Sequence, residues 1–378
     1  MQFIDLKAQY NASKSEIDRA VQTVLEEGQF ISGVQVKEFE RELAEFVGVD
    51  HVVTCANGTD ALQLLYMAYD VSGGDAVFCP DITFIATVEP AVMLGATPVF
   101  CDVSPDSYNV FPESLRRQIN AVVREGKLTP KVVATVDFLG NPADYDALNE
   151  ICKEYGLILI EDAAQSFGAS YKGGMCGSFG GAAITSFFPA KPLGCYGDGG
   201  AIMTNSENIA DLCRSLCVHG KGSSKYDNIR IGVNSRLDTL QAAILRIKLK
   251  ALKDSEMEKR QIVARKYDAA FKDICRFKLI KTPDDCVSVY AQYALLAENR
   301  NIRDHIITHL TELKIPSMIY YKNPMHRLKV FENINVSYGE KFSVSDDYCS
   351  RTFSLPMHPY LNEADQKTVI DAVLEACG

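Results

Sequence analysis

The chain has 378 residues, and its 39 Lys and Arg against 49 Asp and Glu give a formal net charge of −10. With 47% hydrophobic and 23% charged residues the composition is that of a globular protein, which excludes a fibrous or disordered chain. The acidic balance excludes the broad basic surface that nucleic acids require, although a few cations in one cleft could still bind an anionic small ligand.

The N-terminal segment and the cysteines bear on the compartment. Residues 1–10 lack the apolar stretch of a secretory signal, and no apolar run reaches the length of a membrane span. Twelve cysteines are scattered along the chain, and the closest pair, Cys213 and Cys217, lacks the spacing of zinc or redox motifs. We therefore expect a cytoplasmic protein with reduced cysteines.

Between about residues 50 and 205, short apolar runs alternate with helical patterns. This alternation predicts an α/β fold with a parallel sheet that is covered by helices. Ligands of such sheets bind at the carboxyl ends of the strands, so we expect the functional site there. The predicted strands are 51–55, 76–79, 98–103, 131–136, 156–161 and 201–204, and the predicted helices include 60–69 and 144–155.

The pattern changes after residue 235. Residues 237–272 form one long charged helical pattern, and the last third of the chain alternates strands such as 289–296 with helices such as 302–313. This change predicts a large α/β domain over residues 1–245 and a smaller α+β domain over residues 246–378.

Three motifs could carry chemistry, and the first is Asn57-Gly58-Thr59. It lies where a predicted strand gives way to a helix, so its free backbone N–H groups and the helix dipole could bind a phosphate. An ordinary turn with a helix N-cap is the alternative that this short motif leaves open.

The second motif is the acidic pair Glu161-Asp162, which follows a buried apolar strand. A carboxylate at such a position is costly unless a cation lies beside it. A salt bridge to Arg or Lys is the simplest partner for Asp162, and a cationic ligand is the functional one.

The third motif is Lys191, in a tight loop between two predicted strands. A semi-buried lysine loses its proton more easily and can act as a nucleophile, whereas a solvated loop lysine cannot at neutral pH. The glycine-rich run at 197–200 lacks the dinucleotide-binding spacing. His305 and His309 have no evident third ligand, so no metal site is predicted.

In combination these motifs resemble the DegT/DnrJ/EryC1/StrS family of nucleotide-sugar aminotransferases. The resemblance implies fold type I, the aspartate-aminotransferase fold, with a mostly parallel central sheet and a smaller C-terminal α+β domain. It also implies pyridoxal 5′-phosphate as the cofactor, with pyridoxamine phosphate as its aminated form. The stretches that carry the resemblance are residues 3–7, 55–62, 161–168, 185–194, 232–243 and 354–360.

The family resemblance implies two catalytic residues, Lys191 as the Schiff-base lysine and Asp162 facing the pyridine nitrogen. Because family dimers share their sites, it also implies a homodimer. The other cofactor-binding residues it implies are Gly58, Thr59 and Ser186 at the phosphate, Asn234 of the partner subunit beside them, Phe84 on the ring and Gln165 near its phenolic oxygen. Without the resemblance, Phe84 would be expected to pack in the core.

The resemblance also implies the substrate contacts. The guanidinium of Arg236 suits a carboxylate. Within the family, residues 288–293 and 354–360 favour the branch in which Tyr, Ser and His stand where this chain has Phe30, Ala190 and Tyr320, so hydrogen bonding to the sugar is expected to differ. The implied contacts are Gly28, Phe30, Ala190, Arg236, Tyr320, Tyr321 and His326.

This branch implies transfer of the amino group of L-glutamate to the 3-keto group of a UDP-linked 2-acetamido-2-deoxy-hexuluronic acid. The products would be 2-oxoglutarate and UDP-2-acetamido-3-amino-2,3-dideoxy-glucuronate, a precursor for surface polysaccharide such as O-antigen. Transfer to a 4-keto or another 3-keto nucleotide sugar stays open, as does a non-catalytic regulator that binds the cofactor. The dehydratases of the family carry histidine in place of the lysine, so Lys191 argues against dehydration.

Overall fold

A seven-stranded sheet forms the centre of the computed structural model, which describes residues 1–224 and 226–377. The strands are β1 (His51–Cys55), β2 (Asp75–Pro80), β3 (Thr97–Cys101), β4 (Thr129–Val136), β5 (Ile158–Asp162), β6 (Ser170–Tyr171), β7 (Gly174–Met175), β8 (Ala182–Ser186), β9 (Gly200–Thr204), β10 (Phe277–Leu279), β11 (Cys286–Val287), β12 (Tyr293–Ala297) and β13 (Thr352–Leu355).

Helices surround this sheet, and a wider π-type turn over Leu252–Glu256 joins two of them into one long rod. The helices are α1 (Leu6–Ala12), α2 (Lys14–Glu27), α3 (Val34–Val47), α4 (Gly58–Ala68), α5 (Glu89–Met93), α6 (Pro112–Glu125), α7 (Tyr145–Tyr155), α8 (Glu207–Leu216), α9 (Thr239–Ala251), α10 (Met257–Phe271), α11 (Arg300–Glu312), α12 (Ser343–Arg351) and α13 (Glu363–Cys377).

The central sheet has the strand order β1-β9-β8-β5-β4-β2-β3. Strands β3, β2, β4, β5 and β8 are parallel, whereas β9 lies antiparallel between β8 and β1. The sheet is therefore mostly parallel, which confirms the prediction from the alternating pattern. Its carboxyl edge gathers the ends of β5 and β8 and the start of α4.

Apolar side chains alternate between the two faces of the sheet, as expected for strands covered by helices on both sides. On one face, Val77, Ile160 and Ile184 pack with residues of α4, α5 and α8. On the other, Val133 and Leu159 pack with residues of α6 and α7. Packing on both faces therefore fixes the position of the strands and of their carboxyl ends.

The C-terminal third builds a second core around the antiparallel sheet β10-β12-β13 and helices α10, α11 and α13. Residues 325–342 nevertheless return to the central sheet, where Met325, Phe331 and Phe342 join the core beside α4. The predicted domain boundary at residue 245 falls inside α9, and it stays a prediction.

The predicted strand 289–296 is wrong in its first part, because strand β12 covers only Tyr293–Ala297. The Ser288 hydroxyl and the Val289 N–H both donate to the carbonyl of Gly140, at 3.0 and 3.1 Å. Gly140 has φ +94°, and a Cβ there would lie 2.8 Å from the backbone nitrogen of Ala291. Only glycine permits this close approach, so residues 288–292 bend over it as a loop.

All twelve cysteines are free, as expected, and most are buried. Within residues 1–224 and 226–377, no helix has both the length and the apolar character needed to cross a membrane.

Candidate active site

A cavity of about 670 Å³ opens at the carboxyl edge of the central sheet, where the parallel-strand rule predicts a site. Residues from both the central sheet and the C-terminal third line it. The predicted site residues that it brings together are Gly58, Thr59, Phe84, Asp162, Gln165, Ser186, Ala190, Lys191, Tyr320 and Tyr321.

Asp162 is the last residue of β5, and its side chain is 6% exposed. Its carboxylate accepts hydrogen bonds from the Thr87 hydroxyl at 3.0 Å and the Ala164 N–H at 3.1 Å. It forms no salt bridge within the described part of the chain, so the simple salt-bridge alternative is wrong. Burial raises the pKa of Asp162, and the nearby Lys191 opposes that rise only in part. The site therefore favours a cationic ligand beside this carboxylate.

Glu161 faces the opposite side of the strand, because successive strand residues alternate. Its two oxygens accept from the backbone N–H groups of Gly177 and Phe179, at 2.5 and 2.8 Å. Of the acidic pair, only Asp162 lines the cavity.

Lys191 lies in the loop between β8 and β9, where its backbone N–H donates to the Phe188 carbonyl at 2.9 Å. Its side chain lines the cavity, so the alternative of a solvated loop lysine is wrong. Burial lowers the pKa of Lys191, and the carboxylate of Asp162 raises it by a smaller amount. A lysine with a lowered pKa keeps more of the neutral amine that acts as a nucleophile.

The N-terminus of α4 meets the end of β8 across the cavity. The side chain of Asn57 accepts from the N–H of Asp60 at 2.7 Å, so this residue is an N-cap, as the structural alternative predicted. The cap leaves the first N–H groups of the helix facing the cavity. A Cβ on Gly58 would lie 2.8 Å from the Cβ of Ser186. Glycine at this position therefore allows the N-terminus of α4 to lie directly beside the side chain of Ser186. Such an arrangement suits a phosphate.

Aromatic and amide side chains form the rest of the wall. Phe84 is 57% exposed, which contradicts its alternative role in core packing, and its ring centroid lies 6.5 Å from that of Tyr321. The Gln165 side-chain oxygen accepts from the N–H of Leu139 at 3.0 Å, and its side-chain amide also hydrogen-bonds the Tyr321 hydroxyl in the same wall.

The remaining predicted residues do not line this cavity. Gly28 ends α2, and the carbonyl of the nearby Phe30 accepts from the N–H of Thr239 at 2.9 Å. Asn234 and Arg236 flank Ser235, whose hydroxyl accepts from the N–H of Ala56 at 3.0 Å, just before the start of α4. The first segment thus contacts the start of α9, and the second lies beside the start of α4.

His326 also lies apart from the cavity lining. Its Nδ1 is 2.6 Å from the buried carboxylate of Asp81, and its ring stacks on Phe342 with a centroid distance of 4.5 Å. Burial raises the pKa of Asp81 to about 6, although its bonds to His326 oppose the rise. These contacts fix the ring of His326 against the central sheet.

Sequence analysis missed several residues of the cavity wall, among them Thr87, Asp198 and Gln292. Thr87 orients Asp162, yet the two are 75 residues apart, and no local pattern links them. Gln292 lies within the stretch 288–293 that was singled out for its resemblance, which was the available signal.

The model of the DegT/DnrJ/EryC1/StrS aminotransferase family matches residues 11–374. The chain belongs to this family. This chain is 43% identical over 378 residues to the UDP-2-acetamido-2-deoxy-3-oxo-D-glucuronate aminotransferase of Pseudomonas aeruginosa, and the match covers 99% of each chain.

Two solved structures are similar over nearly their whole length. A DegT DnrJ EryC1 StrS aminotransferase from Brucella abortus superimposes with a TM-score of 0.96 at 48% identity, with 99% of each chain covered. DesV of S. venezuelae, in complex with a ketimine intermediate, gives a TM-score of 0.92 at 33% identity, covering 99% of this chain and 97% of that one. The predicted fold type I is thereby confirmed.

This family of enzymes depends on pyridoxal 5′-phosphate, as predicted. The residues around the cavity fit that cofactor by three observations. Asp162 is a buried carboxylate whose raised pKa the nearby Lys191 offsets only in part, Gly58 brings a helix N-terminus to the cavity, and Lys191 has a lowered pKa. They match the ring nitrogen, the phosphate and the aldehyde of the cofactor in turn.

Proposed function

We propose that this aminotransferase moves the amino group of L-glutamate to the 3-keto group of a UDP-linked 2-acetamido-2-deoxy-hexuluronic acid. The products are 2-oxoglutarate and UDP-2-acetamido-3-amino-2,3-dideoxy-glucuronate, which serves surface-polysaccharide synthesis. The observation that carries this proposal is the similarity to the Pseudomonas aeruginosa enzyme, 43% identical from end to end. A cytoplasmic location goes with it, supported by twelve free thiols.

Lys191 is the residue we propose as base and acid. Its Nζ takes the proton from the amine-bearing carbon of glutamate and, in the second half of the cycle, delivers a proton to the former keto carbon of the sugar. Pyridoxal phosphate, when bound, supplies the electron sink that makes this carbon acidic. The lowered pKa of Lys191 supports the role, since a neutral amine must be present to accept the proton.

Asp162 is proposed to hold the ring nitrogen of the cofactor in its protonated form. The hydroxyl of Thr87 and the N–H of Ala164 fix the carboxylate, and its burial strengthens the attraction for a cation. Gly58, Thr59 and Ser186 bind the phosphate, Phe84 stacks on the ring, and Gln165 donates to the phenolic oxygen.

Arg236 is proposed to bind a carboxylate, either of the uronic acid or of glutamate. It forms no ion pair among the described residues, so its guanidinium is free for a bidentate contact. Ala190, Tyr320 and Tyr321 line the cavity on the substrate side, while Gly28, Phe30 and His326 remain proposed contacts.

The substrate assignment is tested by supplying glutamate with three acceptors and measuring the products by mass spectrometry. The acceptors are the UDP-linked 3-keto uronic acid, its 3-keto analogue without the carboxylate, and a 4-keto nucleotide sugar. We expect the uronic acid to react fastest, and the Arg236→Ala variant to lose that preference. Faster reaction of the 4-keto sugar in the wild type would overturn the assignment.

A different nucleotide sugar is the second candidate. The branch has Ser and His where this chain has Ala190 and Tyr320, and both positions line the cavity. The same three-acceptor comparison decides between the two candidates.

The working unit that we propose is a homodimer with shared active sites. Two observations support it: Asn234, Arg236 and Phe30 lie outside the cavity of their own chain, and the apolar side chains of Phe30, Ile31 and Val34 are 42–51% exposed. Apolar surface of this kind at the edge of a site favours an interface.

Subunit mixing tests the shared site. Lys191→Ala and Arg236→Ala homodimers should each be nearly inactive toward the UDP-linked 3-keto uronic acid, whereas a mixture should regain up to about a quarter of the wild-type activity toward it, because half the sites of each hybrid contain neither change. Absence of rescue would mean that Arg236 serves its own chain, and a Lys191→Ala and Lys191→Arg mixture is the control that regains nothing.

A further inference from the structure

Gln292 lies at the cavity wall in the loop just before β12. It is 8% exposed, and its side-chain oxygen is buried without a hydrogen-bond partner. It also borders a crevice of about 20 Å³, which holds one water at most. A buried acceptor without a partner costs stability, so its presence calls for an explanation.

The backbone on either side of Gln292 is firmly held. Arg260 donates to the Tyr290 carbonyl at 3.1 Å, and the Tyr293 hydroxyl donates to Asp268 at 2.7 Å. The loop also rests on Gly140, where no side chain fits. The backbone position from which the side chain of Gln292 projects into the wall is therefore fixed.

The two glutamines of the cavity differ in how their oxygens are used. The oxygen of Gln165 accepts from the N–H of Leu139 at 3.0 Å, whereas the oxygen of Gln292 has no partner. An acceptor needs a donor, and the ligands differ in what they offer. The donors of glutamate and of the cofactor are the reacting amine and the pyridinium N–H, which the proposed roles hold at Lys191 and Asp162. Their carboxylates, phosphate and phenolate only accept, whereas a sugar has hydroxyl groups and an acetamido N–H.

We propose that the side-chain oxygen of Gln292 accepts a hydrogen bond from a hydroxyl or amide N–H of the nucleotide-linked sugar and so helps select the amino acceptor. This inference rests on the proposed function of the site. Gln292 is then a specificity-determining residue, because a sugar without the donor leaves the buried oxygen unpaired.

The test uses Gln292→Met, which keeps the size of the side chain and removes the acceptor, with Gln292→Ala as a second variant. Affinities of the cofactor-loaded protein for the UDP-linked 3-amino sugar, for its analogue without the carboxylate and for UDP alone are measured by calorimetry. We expect about tenfold weaker binding of both amino sugars and unchanged binding of UDP.

Thermal melting separates this ligand role from a structural one. Since the oxygen has no partner in the free protein, Gln292→Met should melt no lower than the wild type. The matched control is Gln366→Met, a glutamine that is 2% exposed in α13 and donates to the Val263 carbonyl at 2.8 Å. It should melt lower and bind the amino sugars normally.

Three results would overturn the inference: unchanged affinity of Gln292→Met for the amino sugars, an equal loss for UDP, or a loss confined to the uronic acid, since then the amide would donate to its carboxylate. The proposed function is tested separately with the wild-type protein. If that function is wrong, the wild type will neither react with glutamate nor bind the UDP-linked amino sugar.

Discussion

The carboxylate of Asp162 is buried and forms no salt bridge among the described residues, and the nearby Lys191 offsets its burial only in part, so its charge lowers the stability of the free protein. Asp162→Asn should raise the melting temperature of the cofactor-free protein at neutral pH. The gain should shrink as the pH falls, because burial raises the pKa of Asp162 and the wild-type carboxylate then takes up a proton.

Transamination by Asp162→Asn should fall by about a hundredfold or more, as expected when a preorganised charge is removed from a reacting site. Calorimetric melts across pH and steady-state rates measure the two effects. Asp211→Asn, on an exposed position of α8, is the matched control. A variant that melts lower yet keeps its rate would contradict this role.

Lys191 supplies the second prediction at the residue scale. Lys191→Ala should lower the rate by about a thousandfold, because the group that moves the proton is gone. Borohydride treatment of the loaded wild type should add the cofactor mass to the peptide that contains Lys191, and the variant should show no such peptide. The exposed Lys341→Ala should behave as the wild type, and labelling of another lysine would refute the assignment.

Single residues differed in how far the sequence revealed them. Lys191 and Asp162 stand in recognisable local contexts, a tight loop and a strand end, and the cavity holds both. Thr87 and Gln292 were missed because their roles depend on neighbours far along the chain. The side-chain pairing of His326 with the buried Asp81 could not be seen either, since 245 residues separate them.

At the scale of elements, the contact between α4 and β8 creates the proposed phosphate site. Gly58→Ala should push the helix end away from Ser186, because the added Cβ would lie 2.8 Å from its Cβ. We expect cofactor affinity to fall by about tenfold and the free energy of unfolding by about 1–3 kcal/mol, as overpacking of a tight contact usually costs. Fluorescence titration and denaturant melts measure both.

The control for this change is Gly126→Ala, at the left-handed end of α6, where φ is +69° and nothing lies within 4 Å of the added Cβ. It should lower stability through backbone strain and leave cofactor affinity unchanged. Equal loss of affinity in both variants would mean that α4 acts only through general stability.

At the scale of the whole molecule, the buried His358 lies beside the contact between the N-terminal segment and the C-terminal third, and it makes the free energy of unfolding depend on pH in the acid range. It is 4% exposed, and the N–H of the adjacent Met357 donates to the Phe3 carbonyl at 3.2 Å. Burial lowers the pKa of His358 to about 4. The unfolded chain therefore binds this proton at higher pH than the folded protein, and the stabilising contribution is fully present above about pH 6.5.

We expect His358 to remove roughly 3 kcal/mol of unfolding free energy as the pH falls from about 6.5 to 4. His358→Leu should flatten this part of the stability profile, measured by urea unfolding at a series of pH values. His305→Leu, on an exposed position of α11, should leave the profile unchanged. An identical acid slope in His358→Leu and the wild type would exclude this residue as the cause.

The sequence by itself determined the mostly parallel sheet, because alternating apolar runs and helical patterns leave few other ways to bury both faces. It also indicated Lys191, Asp162 and the start of α4 as candidates for the chemistry of the site, each through a local pattern, and the structure brings them to one cavity. Only the tertiary structure decided that Glu161 turns away from the cavity, that Gly140 bends residues 288–292 into a loop, and that Gln292 keeps a free acceptor at the wall. These features depend on contacts between distant segments, and a one-dimensional pattern carries no record of which segments meet.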